Sequence, residues 1–315
     1  MSRIVIRYPF VKICLIAMLS CNAPTRNISA KQNVVVDNQS GEHELIQEVN
    51  YIFAIPTETF VLNRKLREIS GLGYNADDDS YLAINDESGV IYMLDGNKFD
   101  IQKEIKFGKR GDYEAIEKVD ENMIVCKSTG TLYFYNLSTE KTIKYDTDLK
   151  RVNNVEGLCY SKEYNSLLLA CKGSPVERNR LKKNIKCIYS FDLDDRMLDL
   201  RPFIKIENDT LLTKLKEQYG NEPVHTMNNM VKKIKEFSPS GIAIHPHTGD
   251  YYIISARGSS IVTLDKNKVI NKIVFLNDRT IPQPEGITFD GDKNLYISTE
   301  GQGYSGKIYK YKYNG

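Results

Sequence analysis

Short hydrophobic runs separated by turn residues fill most of the chain after residue 58. Runs such as YLAIND and LYISTE have the length and the β-branched and aromatic content of strands rather than helices. One sequence motif, here called the repeated phrase, consists of a polar residue followed by a small residue and an apolar run, and it occurs five times. Its copies are REISGLGY at 67–74, DYEAIEKV at 112–119, NVEGLCYS at 154–161, SPSGIAIH at 238–245 and QPEGITFD at 283–290.

The spacing of this phrase predicts the fold class. The residue before the glycine (alanine in the second copy) recurs at intervals of 44, 42, 84 and 45, at Ser70, Glu114, Glu156, Ser240 and Glu285. A repeat of 42 to 45 residues that contains four short strands predicts an all-β, five-bladed β-propeller over residues 59–315. The last unit lacks a fourth strand, so we expect TFVLNRKL (59–66) to complete that blade and close the ring.

The long interval holds residues 207–237, where apolar residues recur at helical spacing between charges. This pattern predicts a helical insertion between blades 3 and 4. A hidden strand unit in the same interval is the alternative, and it would give six blades.

The N-terminus has the pattern of a secretory signal. An apolar run at 13–20, too short to span a bilayer, follows three basic residues and ends at Cys21 in a sequence that resembles a lipobox. We therefore expect residues 1–21 to be a lipoprotein signal peptide whose lipobox cysteine is lipidated. An ordinary secretory signal with an incidental cysteine is the alternative.

The polar residues 22–58 then form a tether. Together these segments predict a protein anchored by lipid in the bacterial cell envelope, periplasmic or surface-exposed.

Charge and cysteines exclude some functions. Without residues 1–20 the formal net charge changes from +2 to −1, and no concentrated basic surface indicates nucleic-acid binding. The remaining cysteines lie in apolar runs without C-x-x-C spacing, which predicts buried small hydrophobes rather than zinc ligands or a redox pair. A single disulfide among them stays an alternative. These cysteines are Cys126, Cys159, Cys171 and Cys187.

Charged residues mark one face of the predicted ring, where each inner strand begins beside the end of the second strand. The second-strand ends are Asp86, Lys127, Lys172, Arg257 and Glu300. Glu114 then lies beside Lys127, and Glu156 beside Lys172, as ion pairs that join inner strands. The alternative is a ligand site at the channel rim formed by these four residues and Arg257, in which Lys127, Lys172 and Arg257 line a pocket for an anionic ligand.

A second group at this rim consists of carboxylates, because blades five and one are neighbours in a closed ring. Such a cluster is repulsive unless it is protonated or bridged by a cation, and oxygen ligands without histidine or cysteine favour Ca²⁺. Side chains that point into solvent are the alternative. The candidate metal ligands are Glu285, Glu300, Asp86, Glu68, Asn85 and Glu87.

Seven motifs in this order resemble the SdiA-regulated family, from about Leu66 to the C-terminus. They are LREISGL, INDE, GDYEAI, NVEGL, LLLACK, PSGIAIHP and QPEGITF. The resemblance implies a five-bladed propeller, distantly related to NHL-repeat proteins, with a calcium site. It implies no reaction.

Two functional hypotheses follow. The first is a lipid-anchored, calcium-binding module that binds an extracellular small molecule or protein. The second is a calcium-dependent hydrolase of esters, lactones or phosphoesters, in which Glu114 or Glu156 is the base and Lys127 or Lys172 stabilises the developing anion. The sequence contains neither a G-x-S-x-G motif nor a P-loop.

Overall fold

The computed structural model describes residues 50–176 and 184–315 and shows five antiparallel sheets of four strands. After β1 (Glu58–Val61), the first sheet contains β2 (Ile69–Asn75), β3 (Ser80–Asn85), β4 (Val90–Leu94) and β5 (Ile101–Lys106). The second contains β6 (Tyr113–Val119), β7 (Asn122–Lys127), β8 (Leu132–Asn136) and β9 (Lys141–Tyr145). The third contains β10 (Val155–Ser161), β11 (Ser166–Cys171), β12 (Ile185–Asp192) and β13 (Leu198–Glu207).

Two further sheets complete the ring. The fourth contains β14 (Gly241–Ile244), β15 (Tyr251–Ser255), β16 (Ser260–Leu264) and β17 (Ile270–Phe275). The fifth contains β18 (Pro284–Phe289), β19 (Leu295–Thr299), β20 (Lys307–Tyr311) and, at its outer edge, β1. The fold is therefore a five-bladed β-propeller, as predicted, and the six-bladed alternative is excluded.

The closing strand is confirmed, although it is shorter than expected. β1 pairs with β20 in register from Glu58 opposite Lys310 to Val61 opposite Lys307. The expected continuation to residue 66 is wrong, because Arg64–Leu66 form a 3-10 turn instead. The side chain of Asn63 caps this turn by accepting a hydrogen bond from the Lys65 amide at 3.1 Å.

The helical segment consists of two helices, α1 (Asn208–Tyr219) and α2 (Val224–Lys235), at the C-terminal side of β13 and before β14. Buried apolar side chains of both helices join the core that blades three and four share. The hydroxyl of Tyr219 also donates to the Ile273 carbonyl of β17 at 2.9 Å. Within the described ranges, no helix has the length and apolar character needed to cross a membrane.

The segment before β1 is packed against the propeller. Tyr51 and Phe53, which the sequence places in the tether, are buried beside aromatic residues of blades four and five. The Tyr51 hydroxyl donates to the Lys293 carbonyl at 2.6 Å. Its ring lies against His245, which is itself fully buried.

The four cysteines of the propeller are buried free thiols, as the sequence predicts. Cys171 lies directly opposite Cys187 on neighbouring strands. No disulfide is formed among the residues that the structure describes.

The repeated glycine reflects close packing at the propeller axis. Each inner strand contacts the next one, and β18 contacts β2 to close the ring. A Cβ atom at Gly286 would lie 2.8 Å from the Leu72 backbone nitrogen, and one at Gly241 would lie 2.5 Å from the Glu285 carbonyl oxygen. A side chain at these positions would overlap the adjacent blade, so the phrase requires glycine or, at Ala115, a residue nearly as small.

Gly286→Ala tests this packing. The added methyl group has no room, so we expect the free energy of unfolding to fall by about 1–3 kcal/mol, measured by urea denaturation. Gly291→Ala is the control, because the nearest atom there is the Tyr74 hydroxyl oxygen at 3.2 Å. Equal losses in the two variants would contradict the role of axial packing.

Candidate functional site: the charged channel

β-bulges direct the polar residue of the repeated phrase toward the axis. In blade two, Tyr113 pairs with Lys127 and Ala115 pairs with Cys126, so Glu114 is an extra residue in its strand. Glu156 occupies the same position in blade three, between Val155 and Gly157. A bulge leaves the extra residue unpaired in the hydrogen-bond ladder of the sheet and changes the direction of its side chain.

The inner strands of all five blades line a narrow central channel. Its polar lining includes Glu114, Glu156 and Glu285, here called the glutamate ring, together with Ser70. The hydroxyl of Ser70 is buried and has no hydrogen-bond partner among the described residues. A buried polar atom without a partner is costly, which marks this position as one where a ligand atom would be accommodated.

Ser240, the fourth-blade equivalent, has a structural role instead. Its hydroxyl donates to the Pro284 carbonyl at 2.6 Å and accepts from the Ala256 amide at 3.1 Å. Both bonds hold the inner strand of blade four, and the first joins it to blade five. The ring is therefore asymmetric, with its carboxylates on blades two, three and five.

Lys172 interacts electrostatically with all three carboxylates of the glutamate ring. The ammonium of Lys172 donates to Glu156 Oε2 at 3.0 Å, and Asn154 donates to the other oxygen of that carboxylate at 2.6 Å. Burial alone lowers the pKa of Lys172, but the carboxylates of Glu156 and Glu285 outweigh burial and raise it. A single ammonium cannot neutralise three carboxylates, so the channel would carry excess negative charge if all three were ionised.

Burial and repulsion between neighbouring carboxylates raise the pKa values of these groups. Burial, followed by the charges of Glu156 and Asp112, raises the pKa of Glu114 to about 8. Burial likewise raises the pKa of Glu285 well above its ordinary value; Lys172 opposes this shift, and Glu156 and Glu300 add to it. The folded protein therefore favours a proton, or another cation, in the channel.

The predicted pair of Glu156 with Lys172 forms, whereas the predicted pair of Glu114 with Lys127 does not. Among the ion pairs of the described residues, none joins Glu114 to Lys127. The Lys127 ammonium lies 5.5 Å from the centre of the Tyr113 ring instead. The bulge separates the two side chains, because it turns Glu114 toward the axis.

The six predicted metal ligands divide into an inner and an outer group. Glu285 lines the channel, and Glu300 interacts electrostatically with Lys172 and Glu156 there. Burial is the first cause that raises the pKa of Glu285, Glu300 and Asp86. For Asp86 the charges of Glu87 and Glu68 contribute next.

The outer three have partners of their own. Glu68 pairs with Arg67 at 2.9 Å, and Glu87 pairs with Arg110. The amide group of Asn85 donates to the Lys65 carbonyl at 3.0 Å and accepts from the Ser88 amide at 2.8 Å. Across residues 50–176 and 184–315, no three His, Cys, Asp or Glu side chains are placed to hold a metal ion together.

Comparison with known proteins identifies the family. A family model described as SdiA-regulated matches residues 44–304. The chain belongs to the SdiA-regulated family. No curated protein matches the chain.

Solved structures support the propeller fold. This member of the SdiA-regulated family is similar to a glutaminyl cyclase from Myxococcus xanthus, with a TM-score of 0.52 and 11% identity over 82% of this chain and 94% of that one. A luciferin-regenerating enzyme is similar with a TM-score of 0.47 and 13% identity, over 81% and 95% of the two chains. The likeness to the glutaminyl cyclase shows a shared fold and no more.

The raised pKa of Glu114 predicts a pH-dependent stability. A proton is held more tightly in the folded state, so this group's contribution is fully present below pH about 4.5 and is lost as the pH rises through about 8. Glu114→Gln removes that loss, and we expect this variant to exceed the wild type in stability by a few kcal/mol, to order of magnitude, at the alkaline end.

The measurement is thermal unfolding of metal-free protein across this pH range. Glu163→Gln is the control, because that glutamate is exposed. Parallel pH curves for the wild type and Glu114→Gln would show that the channel does not perturb Glu114.

Proposed function

We propose that the protein is a lipid-anchored, extracytoplasmic binding module whose channel holds Ca²⁺ and whose channel mouth binds a small-molecule or protein ligand. One observation carries the proposal: three carboxylates from three blades converge in a buried channel and share a single lysine. The family match and the predicted signal segment support its cellular setting.

The chemistry of the donor set favours a hard cation. Carboxylate oxygens from the glutamate ring and the unpartnered hydroxyl of Ser70 are the kinds of atoms that calcium binds, and calcium tolerates irregular geometry better than magnesium. A bound divalent ion would offset the repulsion that now raises the pKa of these carboxyl groups. Because no three acidic groups are yet close enough, binding requires rotation of the glutamate side chains.

Calcium titration calorimetry tests this assignment. We expect the wild type to bind Ca²⁺ and the double variant Glu114→Gln with Glu285→Gln to lose binding, since it removes two of the three ring charges. The control pair, Glu68→Gln with Glu87→Gln, should retain binding because those side chains pair with arginines. If instead the control pair loses binding and Glu114→Gln with Glu285→Gln retains it, the ion lies beside Glu68 and Glu87. No binding by the wild type would reject the calcium site.

The anchor is a separate part of the proposal, because Cys21 lies outside the described residues. The lipobox-like sequence before it supports lipidation. In cells of the producing bacterium, we expect the wild type to partition into a detergent phase and Cys21→Ala to remain in the aqueous phase. Equal partitioning of the two would reject the anchor.

A calcium-dependent hydrolase is the second candidate, and one observation favours it. Glu114 is partly buried in the channel with its pKa raised to about 8, which suits proton transfer near neutral pH. Lys172 lies close enough to stabilise a developing anion. Turnover of an ester or lactone that requires Ca²⁺ and disappears in Glu114→Gln would support this candidate, and undiminished turnover in that variant would reject it.

A further inference from the structure

A second charged group lies beside the glutamate ring, and it is positive. Lys186 is partly buried at the start of β12, and its ammonium donates to the Lys172 carbonyl at 2.5 Å. Arg257, which is exposed in the turn after β15, interacts electrostatically with Lys186, as does Lys172. We call Lys172, Lys186 and Arg257 the basic sector; it joins the mouth edges of blades three and four.

Lys186 differs from the other inward-lying lysines in its partners. Four of the others pair with a carboxylate: Lys118 with Asp77 at 2.8 Å, Lys172 with Glu156 at 3.0 Å, Lys233 with Asp278 at 2.8 Å and Lys310 with Glu58 at 3.2 Å. Three more lie over aromatic rings: Lys127 over Tyr113, Lys268 over Phe203 and Lys293 over Tyr313. No ion pair of the described residues includes Lys186 or Arg257. Among residues 50–176 and 184–315, the basic sector therefore contains two cations, Lys186 and Arg257, that form no ion pair with a carboxylate.

This arrangement of like charges is electrostatically unfavourable. Burial, then the charges of Arg257 and Lys172, lower the pKa of Lys186. A partly buried ammonium that lacks a counter-ion and faces like charges costs free energy. An anionic group placed among these side chains would offset that cost through charge-assisted hydrogen bonds, for which the planar guanidinium of arginine is well suited.

Lys172 connects this sector to the glutamate ring. Its ammonium pairs with Glu156 and interacts with Glu285, while its backbone carbonyl holds the ammonium of Lys186. A ligand at the basic sector would therefore lie directly beside the ring. The two charged groups are adjacent parts of one channel mouth.

We infer that the basic sector binds an anionic group, a carboxylate or a phosphate, of the ligand that the channel mouth recognises. This inference rests on the proposed function and specifies the chemical class of its ligand. Negative charge on the ligand follows because, among the described residues, Lys186 and Arg257 form no ion pair with a carboxylate. The role of Lys127 is different, since its ammonium lies over the Tyr113 ring.

The test is anion binding to the metal-free, full-length protein at low ionic strength, with inorganic phosphate and succinate as separate probes in calorimetric titrations. We expect Lys186→Met and Arg257→Gln each to weaken binding of the preferred anion by about tenfold or more, because each removes a charged hydrogen-bond donor. Lys205→Met is the matched control: it removes one charge from an exposed lysine of the same blade, opposite Cys187. The control should bind like the wild type.

Each outcome decides the inference. Tighter binding of phosphate or of succinate identifies which anion is preferred. An equal loss in Lys205→Met, unchanged binding in the other two variants, or no binding of either anion at millimolar concentration would overturn it. Arg257→Gln alters an exposed side chain, so it gives a result even if Lys186→Met fails to fold.

Calcium titration of the same proteins separates this inference from the proposed calcium site. Calcium binding without anion binding would overturn only the inference. Anion binding that depends on Lys186, without calcium binding, would support the anion site and overturn the calcium function.

Discussion

The inner strands approach one another so closely at the propeller axis that a Cβ atom on Gly286 would overlap the backbone of Leu72. This contact requires glycine, or alanine in blade two, immediately after the bulged position, and the bulge turns the preceding side chain into the channel. Wherever that preceding residue is glutamate, the geometry that closes the ring also brings carboxylates together. Stability of the ring and charge in the channel therefore have the same origin.

The charge is not balanced within the channel. Glu156 has an ammonium partner, but Glu114 and Glu285 share that same lysine at longer range, and burial raises the pKa of both carboxyl groups. On the adjacent side, Lys186 and Arg257 lack carboxylate partners among the described residues. The channel mouth therefore separates negative from positive charge, with Lys172 between them, as expected of a surface that binds a charged ligand.

The sequence was sufficient to predict the ring but not the arrangement of its charges. Strand number, blade number and the closing strand follow from local hydrophobic runs and their period, which β1 and its pairing with β20 confirm. The bulge at Glu114 depends on cross-strand register, so the expected partner Lys127 lies over Tyr113 instead. Lys186 belongs to no repeated phrase and lies on the third strand of its blade, so only the packing of blade three beside blade four brings it near Arg257.

The proposed charge distribution of the channel depends most directly on the protonation of Glu114 and Glu285 at neutral pH. Infrared difference spectroscopy of metal-free protein, wild type against Glu114→Gln with Glu285→Gln, measures the carbonyl band of protonated carboxyl groups. We expect this band in the wild type at neutral pH, a smaller band in the double variant, where buried Glu117 with its pKa raised to about 7 still contributes, and a decrease when Ca²⁺ is added to the wild type. A wild-type spectrum that shows only ionised carboxylates at neutral pH would contradict the account.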